Sequence, residues 1–330
     1  MSLTDLTRTL VESLVEDAVT APSMHNAQPW RFVYRTAAST LELHGDPDRA
    51  LPREDPDHRD LHLGCGAALF SLRVAAAHHG RHADVHLLPD AGDPWHLADV
   101  TLSGAAGEPD RALAALRPVL RERHTNRFPF TERPVPAELL DRLTAAAADE
   151  GCRMVVPGEW HTDTLLDLVH EAERFESADP TVREEIAAWT HDGAAGRQPA
   201  TEGIPADAFG PRQHDVTSPV RDFDTTHRAP GRPSERFEKN PRLVLLGTSK
   251  DTPDEWLRTG QALQRVLLRA TLDGLSSSLM SQPLEWPELR AAARDPESAL
   301  GYVHMIIRLG YGPPVRATPR RPVADVLEIT

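Results

Sequence analysis

Residues 66–80, GAALFSLRVAAAHHG, lie over residues 260–274, GQALQRVLLRATLDG, with Gly, Ala, Leu, Ala and Gly identical at five of fifteen positions. Both stretches are rich in small apolar residues at helical spacing, which suits helices buried between layers. A second pair occurs in the same order upstream. LVESLVEDAV, residues 10–19, matches LLDRLTAAAA, residues 139–148, and the strand-like RFVY and RMVV that follow match as well. Pro56-Asp57 and Pro253-Asp254 precede the two long helices. Two matched pairs in one order predict an internal duplication, with tandem halves at 1–117 and 118–330.

Around these anchors the local patterns are clear. Leu6, Leu10, Val11, Leu14, Val15 and Ala18 predict an amphipathic helix that Pro22 closes. Strands follow at RFVYR and TLELH, then a helix from about Asp57 to Gly80, strands at ADVHLLP and HLADVTL, and a helix at ALAALRPVL. The expected fold class is α+β: each half a mixed β-sheet flanked by helices, with the two long helices packed centrally. The halves also differ. Eleven residues, Thr20 to Trp30, separate helix from strand in the first, against four, Asp149 to Cys152, in the second. The second half carries an insertion over residues 157–240, rich in Pro, Gly, Asp and Arg after about 192. So long a structureless stretch predicts a lid, at about 190–237, or a linker.

The 330 residues, 40% hydrophobic, can bury one large core or two ordinary ones without disulfides or metals. A net charge of -14 argues against a nucleic-acid or anionic-membrane surface, so any bound anion needs a local basic pocket. Cys65 and Cys152 have no CxxC partner or zinc-ligand spacing, and no run of about 18 apolar residues or signal-like segment occurs. A cytoplasmic protein without nucleic-acid or membrane partners is expected. His78, His79 and His82 straddle a helix end without a carboxylate at ligand spacing and read as solvated surface, so no metal is expected. Gly64-Cys65-Gly66 is not a dinucleotide fingerprint, and GxSxG and Walker A sequences are absent.

Four segments carry chemistry. Ala21-Pro22-Ser23-Met24-His25-Asn26-Ala27-Gln28-Pro29-Trp30-Arg31-Phe32 presents short polar side chains and free N–H groups at a proline-terminated helix end, suited to a planar polar ring. Arg123-His124-Thr125-Asn126-Arg127-Phe128 sets two arginines around a hydroxyl, a pattern that can grip a phosphate dianion. Ser281-Gln282-Pro283-Leu284-Glu285 follows the second long helix, and Arg320-Arg321-Pro322 stands near the C-terminus.

These segments resemble, in turn, the A-P-S-S-x-N-x-Q-P-W-x-F, R-R-S-x-R-x-F and P-x-E-G motifs of the nitroreductase superfamily and its closing basic pair. Met24, Thr125 and Trp286 stand where Ser, Ser and Gly are usual. The fused halves, DPDHRDLHLGCGAAL and TPRRPVADVL resemble its Acg-type, FMN-binding branch. The resemblance implies a nitroreductase-like fold with FMN held by Ser23, Met24, Asn26 and Gln28 of the loop. It places Arg123, Thr125, Arg127, Arg320 and Arg321 toward the phosphate, and Ser281, Gln282, Pro283 and Leu284 toward the reactive edge of the flavin. It further implies an oxidoreductase taking electrons from NADH or NADPH to a small organic acceptor (a nitroaromatic, a quinone or a dedicated metabolite), with no side chain required as acid or base. The alternative is a protein that stores or sequesters FMN with little turnover. Because the Asn loop occurs only in the first half and the arginines only in the second, one flavin site per chain and a monomer or weak homodimer are expected.

Overall fold

The computed structural model describes residues 7–104, 110–191, 200–213, 220–224 and 231–330. The first half runs α1 (Arg8–Ala18), β1 (Trp30–Arg35), β2 (Thr40–Gly45), α2 (Arg59–His78), β3 (Arg81–Leu87), β4 (His96–Gly104) and the single turn α3 (Arg111–Ala114). Thr7 caps α1 by accepting the Leu10 N–H. Val11, Leu14, Val15 and Ala18 form its buried face. The second half opens with α4 (Ala137–Asp149) and β5 (Arg153–Val155). Its insertion holds α5 (Glu159–Ala178), α6 (Pro180–Ala188) and four two-residue strands, β6 (Thr190–His191), β7 (Ile204–Pro205), β8 (Arg212–Gln213) and β9 (Ser234–Glu235). There follow β10 (Arg242–Thr248), α7 (Pro253–Leu272), β11 (Ser276–Met280), α8 (Gln282–Glu285), α9 (Pro287–Ala292), β12 (Tyr302–Gly310) and β13 (Leu327–Ile329).

The sheets share one strand order. The first runs β13-β1-β2-β4-β3 and the second β11-β12-β10-β5, so that β1, β2, β4 and β3 correspond to β5, β10, β12 and β11. All pairings within each set of four are antiparallel. Parallel pairing enters at the edges, through β13 on β1 and the bridge from Thr125 to Ser277. The last strand therefore leaves the half to which sequence order assigns it and closes the first sheet, because the edge of β1 offers unpaired N–H and C=O groups that β13 satisfies.

The insertion also departs from expectation. Residues 159–188 are two helices rather than part of a structureless loop. Leu165, Val169 and Ala172 repeat at helical spacing and are buried, and the first two pack with Leu243, Leu245 and Ile306 of the second sheet. The lid expected at 190–237 falls partly on residues 192–199, 214–219 and 225–230, outside the described residues.

Between the halves α2 and α7 cross in contact through their glycines. A Cβ on Gly66 would collide with the Leu257 carbonyl oxygen and stand 3.0 Å from the Gly260 Cα; one on Gly260 would collide with the Leu63 carbonyl oxygen and stand 2.9 Å from the Gly66 Cα. Leu63 and Leu257 occupy the same place before their respective glycines, so the contact is reciprocal. Leu63 of α2 joins the core of the second half, while Leu257 of α7 joins that of the first.

Backbone cannot yield as a flexible side chain does, so Gly66→Ala or Gly260→Ala forces the helices apart. Each variant is expected to lose about 3 kcal/mol of unfolding free energy, the upper end for overpacking, in urea denaturation. A loss below about 0.5 kcal/mol, the range of ordinary surface changes, would show that the crossing tolerates separation.

Candidate functional site

A cleft opens where the halves meet, with about 700 Å³ of empty space when the solvent at its mouth is included. The first half supplies the loop after α1 (Pro22, Ser23, Met24, His25) and one face of α2 (Asp60, Leu63, Gly64). The second supplies Thr125, Arg127, Leu263, Ser278, Ser281, Gln282 and Met305, while Val220, Arg221 and Phe223 of the insertion close one side.

The loop is held in a demanding backbone shape. His25, Asn26 and Gln28 have φ of +48°, +56° and +55°, a region L-residues rarely occupy. Hydrogen bonds impose it: the Gln28 N–H donates to Ser23 Oγ at 2.9 Å, and Asn26 N–H to the Ser23 carbonyl at 3.0 Å. The Asn26 amide donates to the carbonyls of Gly203 and Pro319, both at 3.0 Å, and its oxygen accepts from Arg320 at 2.9 Å. Gln28 donates to the Thr201 carbonyl at 2.8 Å and accepts from the Arg321 N–H at 2.8 Å. These two signature side chains thus tie the insertion and the C-terminal segment to the loop and do not line the cleft.

Six of the expected site residues line it: Ser23, Met24, Thr125, Arg127, Ser281 and Gln282. Gln282 is buried, and its Nε2 has no partner. Arg127 donates to the Ala208 carbonyl at 3.1 Å and stacks over Phe223, its guanidinium carbon 4.9 Å from the ring centre. Burial, and then Arg221, push Arg127 down to about 10. Pro283 and Leu284 lie buried behind the lining in α8. Arg321 turns to the Gln28 and Asp325 carbonyls instead, away from the cleft.

Arg123 and Arg320 meet beside the lining, at the end of α1, where both donate to the Thr20 carbonyl. Arg320 also takes the carbonyls of Val19 and Ala21, which the helix end leaves without partners; helix capping thus occupies donors that the resemblance assigns to a phosphate. Arg123 is different. It is 3% exposed, and its Nε and Nη1 have no partner. Burial pushes Arg123 down to about 10, and burial together with Arg123 pushes Arg320 to about 9. Burial and the two cations hold His124 at about 4. Buried positive charge with open donors and no opposing carboxylate is costly unless an anion completes it.

A buried ionic cluster faces the cleft, and no spacing in the sequence announces it. His25 Nε2 stands 2.7 Å from Glu54, and Arg221 bridges Glu54 (2.5 Å), Glu176 (2.9 Å) and Glu285 (3.2 Å). Ser281 Oγ donates to Glu285 at 2.9 Å. Its members come from the Asn loop, the approach to α2, α5, α8 and the insertion, segments far apart in sequence. Only His25 and Glu285 fall inside the motifs.

The profile of the Nitroreductase family matches residues 120–311. A Mycobacterium tuberculosis protein named as a candidate NAD(P)H nitroreductase is 34% identical over 96% of this chain and 91% of its own. The chain belongs to the nitroreductase family. A second member from the same organism, acg, also named as a candidate NAD(P)H nitroreductase, is 31% identical over 99% of this chain and 97% of its own. Among solved structures, the FMN-dependent nitroreductase NfnB from Mycobacterium smegmatis, in complex with NADPH, covers 64% of this chain and 97% of its own with 17% identity and a TM-score of 0.40. The family profile spans the second half, and the Asn loop that faces it lies outside the matched range.

In this nitroreductase-family chain Glu54 and Glu285 of the cluster are shifted in opposite directions. Burial raises Glu54, but His25 and Arg221 outweigh it and hold the group below the usual range, so it is ionised. Burial drives Glu285 well above its ordinary value, beyond what Arg221 recovers. Glu54 therefore adds stability above its unfolded pKa that is lost as pH falls through its lower folded value. Glu285 has the reverse sign, its contribution fading as pH rises past about 4.3. Glu54→Gln is expected to cost about 3–5 kcal/mol at pH 8, as for a broken buried pair. Glu285→Gln, an isostere of the neutral acid, is expected to cost under about 1 kcal/mol at pH 5 and to gain on wild type toward pH 8. Equal losses for the two variants in urea unfolding at both pH values would contradict the opposite shifts.

Proposed function

We propose that this chain binds one FMN in the cleft between its halves and passes two electrons from NADH or NADPH to a small organic acceptor, a nitroaromatic, a quinone or a dedicated metabolite. The observation that carries the reading is the buried, partly unpartnered guanidinium of Arg123 beside Arg320, and the Gln282 amide at the cleft also lacks a partner. A phosphate supplies the missing acceptors at the first, and a ring carbonyl the acceptor at the second, so the residues fit the group. The names of the relatives 34% and 31% identical to the chain point to the same electron donor. The two-electron chemistry belongs to the flavin when bound.

The protein's part is binding and orientation. Leu63, Leu263 and Met305 offer apolar walls, and Ser23 and Thr125 offer hydroxyls from opposite halves. His25, held by Glu54, keeps a polar ring edge at the cleft. Arg127, stacked on Phe223, sets the charge on the side closed by the insertion. The matching strand order and the reciprocal glycine contact support a fused pseudo-dimer, 1–117 and 118–330, with β13 returned to the first sheet. The net charge of -14 and two buried free cysteines suit a reducing cytoplasm, and among the described residues no helix is long and apolar enough to cross a membrane.

The segment around Arg221 favours a second reading, sequestration, since it closes one side of the cleft and is anchored by three buried carboxylates. One experiment separates the two. Flavin released from purified protein is quantified, then the intact protein and a variant with residues 195–230 replaced by a Gly/Ser linker are mixed anaerobically with NADH and NADPH. One FMN per chain, bleached within seconds in the intact protein, is expected. Bleaching of the trimmed variant alone would make the protein a store, and no bleaching of either would remove the nicotinamide-dependent reaction.

A further inference from the structure

On the outer face of the first sheet three candidate ligands, Glu42, His44 and His96, converge, with Asp99 paired to His96. Strands β2 and β4 pair so that Glu42 lies opposite Asp99 and His44 opposite His96, with a register shift between Leu43 and His44. A regular strand would put His96 and Asp99 on opposite faces, because side chains alternate. The bulge inserts one residue: Leu97 and Ala98 are consecutive and both fully buried, and His96 turns onto the face of Asp99. The imidazoles of His44 and His96 then stack, ring centres 4.5 Å apart and planes within 18°.

The ligand atoms of Glu42, His44 and His96 lie within 4.8 Å of one another. His44 Nε2 stands 3.1 Å from Glu42 Oε2, and His96 Nε2 stands 2.8 Å from Asp99 Oδ1. The other Glu42 oxygen accepts from Arg35 at 2.8 Å, which orients the carboxylate with Oε2 toward the histidines, as outer partners do around metal ligands. The side chains of Glu42, His44 and His96 keep only 14%, 11% and 15% of their exposure, and Asp99 keeps 32%, so the pocket is half-sheltered with one open side.

Two carboxylates directly opposite each other on a sheet repel unless a cation lies between them. Arg35 answers only the far side of Glu42. Arg31, in the row of His44, is exposed and free to turn to solvent. Among the described residues the recorded ion-pair partners of the two carboxylates are Arg35, His44 and His96.

We propose that Glu42, His44, His96 and Asp99 form a binding site for a divalent transition metal ion of the zinc class. Two imidazoles with one or two carboxylates suit zinc, cobalt or nickel, whereas calcium and magnesium demand more oxygen ligands than the site holds. Each histidine Nε2 trades the proton it shares with a carboxylate for the metal, and the carboxylates become ligands or outer partners. Spacing could not reveal this set, since the β2 and β4 contributions are half the first domain apart and the bulge decides which face His96 takes. The nearby pair His78 and His79, at the end of α2, is a separate surface feature and serves as the control.

The test is calorimetric titration of the full-length, untagged protein with Zn²⁺, beside visible absorption spectra with Co²⁺. The proposal expects one Zn²⁺ per chain, cobalt bands of a four- or five-coordinate nitrogen and oxygen site, and at least a hundredfold weaker binding in His44→Asn/His96→Asn. Glu42→Gln alone, which keeps both imidazoles, is expected to weaken binding about tenfold, so the proposal stays testable if the double variant unfolds. His78→Asn/His79→Asn should bind as wild type. No saturable binding by the wild-type protein, or binding lost with His78 and His79 and kept without His44 and His96, would overturn the site.

Discussion

The approach of α2 and α7 at Gly66 and Gly260 is the constraint on which the rest depends. Each glycine's missing Cβ makes room for the opposite helix backbone, and each helix then sends a leucine into the other half's core. Two sheets of the same strand order are thereby tied together through α2 and α7. Gly64 and Leu63, on the same stretch of α2, line the cleft, so the packing that joins the halves also shapes the pocket between them. Any spreading of the helices would be felt at both.

Around that seam the chain uses its polar groups unequally. Asn26, Gln28, Arg320 and Arg321 lock the first-half loop to the insertion and the C-terminal segment. Arg221 gathers three buried carboxylates and draws the insertion over the cleft. Apart from Glu176 Oε1, which has the Arg221 charge beside it but no hydrogen bond, these groups satisfy one another. Arg123 and Gln282 do not find partners for all their donors, and the positive charge beside Arg123 is felt as far as His124. The contrast between a satisfied frame and an unsatisfied pocket is what marks the place for a ligand.

Much of the fold was legible in the sequence. The alignment of residues 66–80 with 260–274 picked out the two helices that meet, and the identical Gly66 and Gly260 prove to be the contact itself. Period-two runs at residues 31–35 and 40–44 placed β1 and β2 within a residue. Helices α5 and α6 were lost in the average composition of a long insertion, although Leu165, Val169 and Ala172 carry a helical period. The crossing of β13 could not be read, because strand pairing over some three hundred residues leaves no local trace. At the cleft, the segments that bring Ser23, Met24, Thr125, Arg127, Ser281 and Gln282 to one lining were legible as motifs. The direction of Asn26 and Gln28 was not, since it depends on left-handed backbone angles and on partners at residues 201–203 and 319–321. Glu54, Glu176 and Arg221 are invisible to motif reading because burial alone makes them a group.

The central claim is that the seam holds an anion-terminated cofactor through Arg123. The most direct measurement is the affinity of the flavin-free protein for FMN and for riboflavin, in wild type and in Arg123→Gln, by quenching of flavin fluorescence. The account predicts FMN binding weakened tenfold or more, a change of about 1.4 kcal/mol, with riboflavin binding unchanged. Equal weakening of both ligands, or none of either, would contradict it.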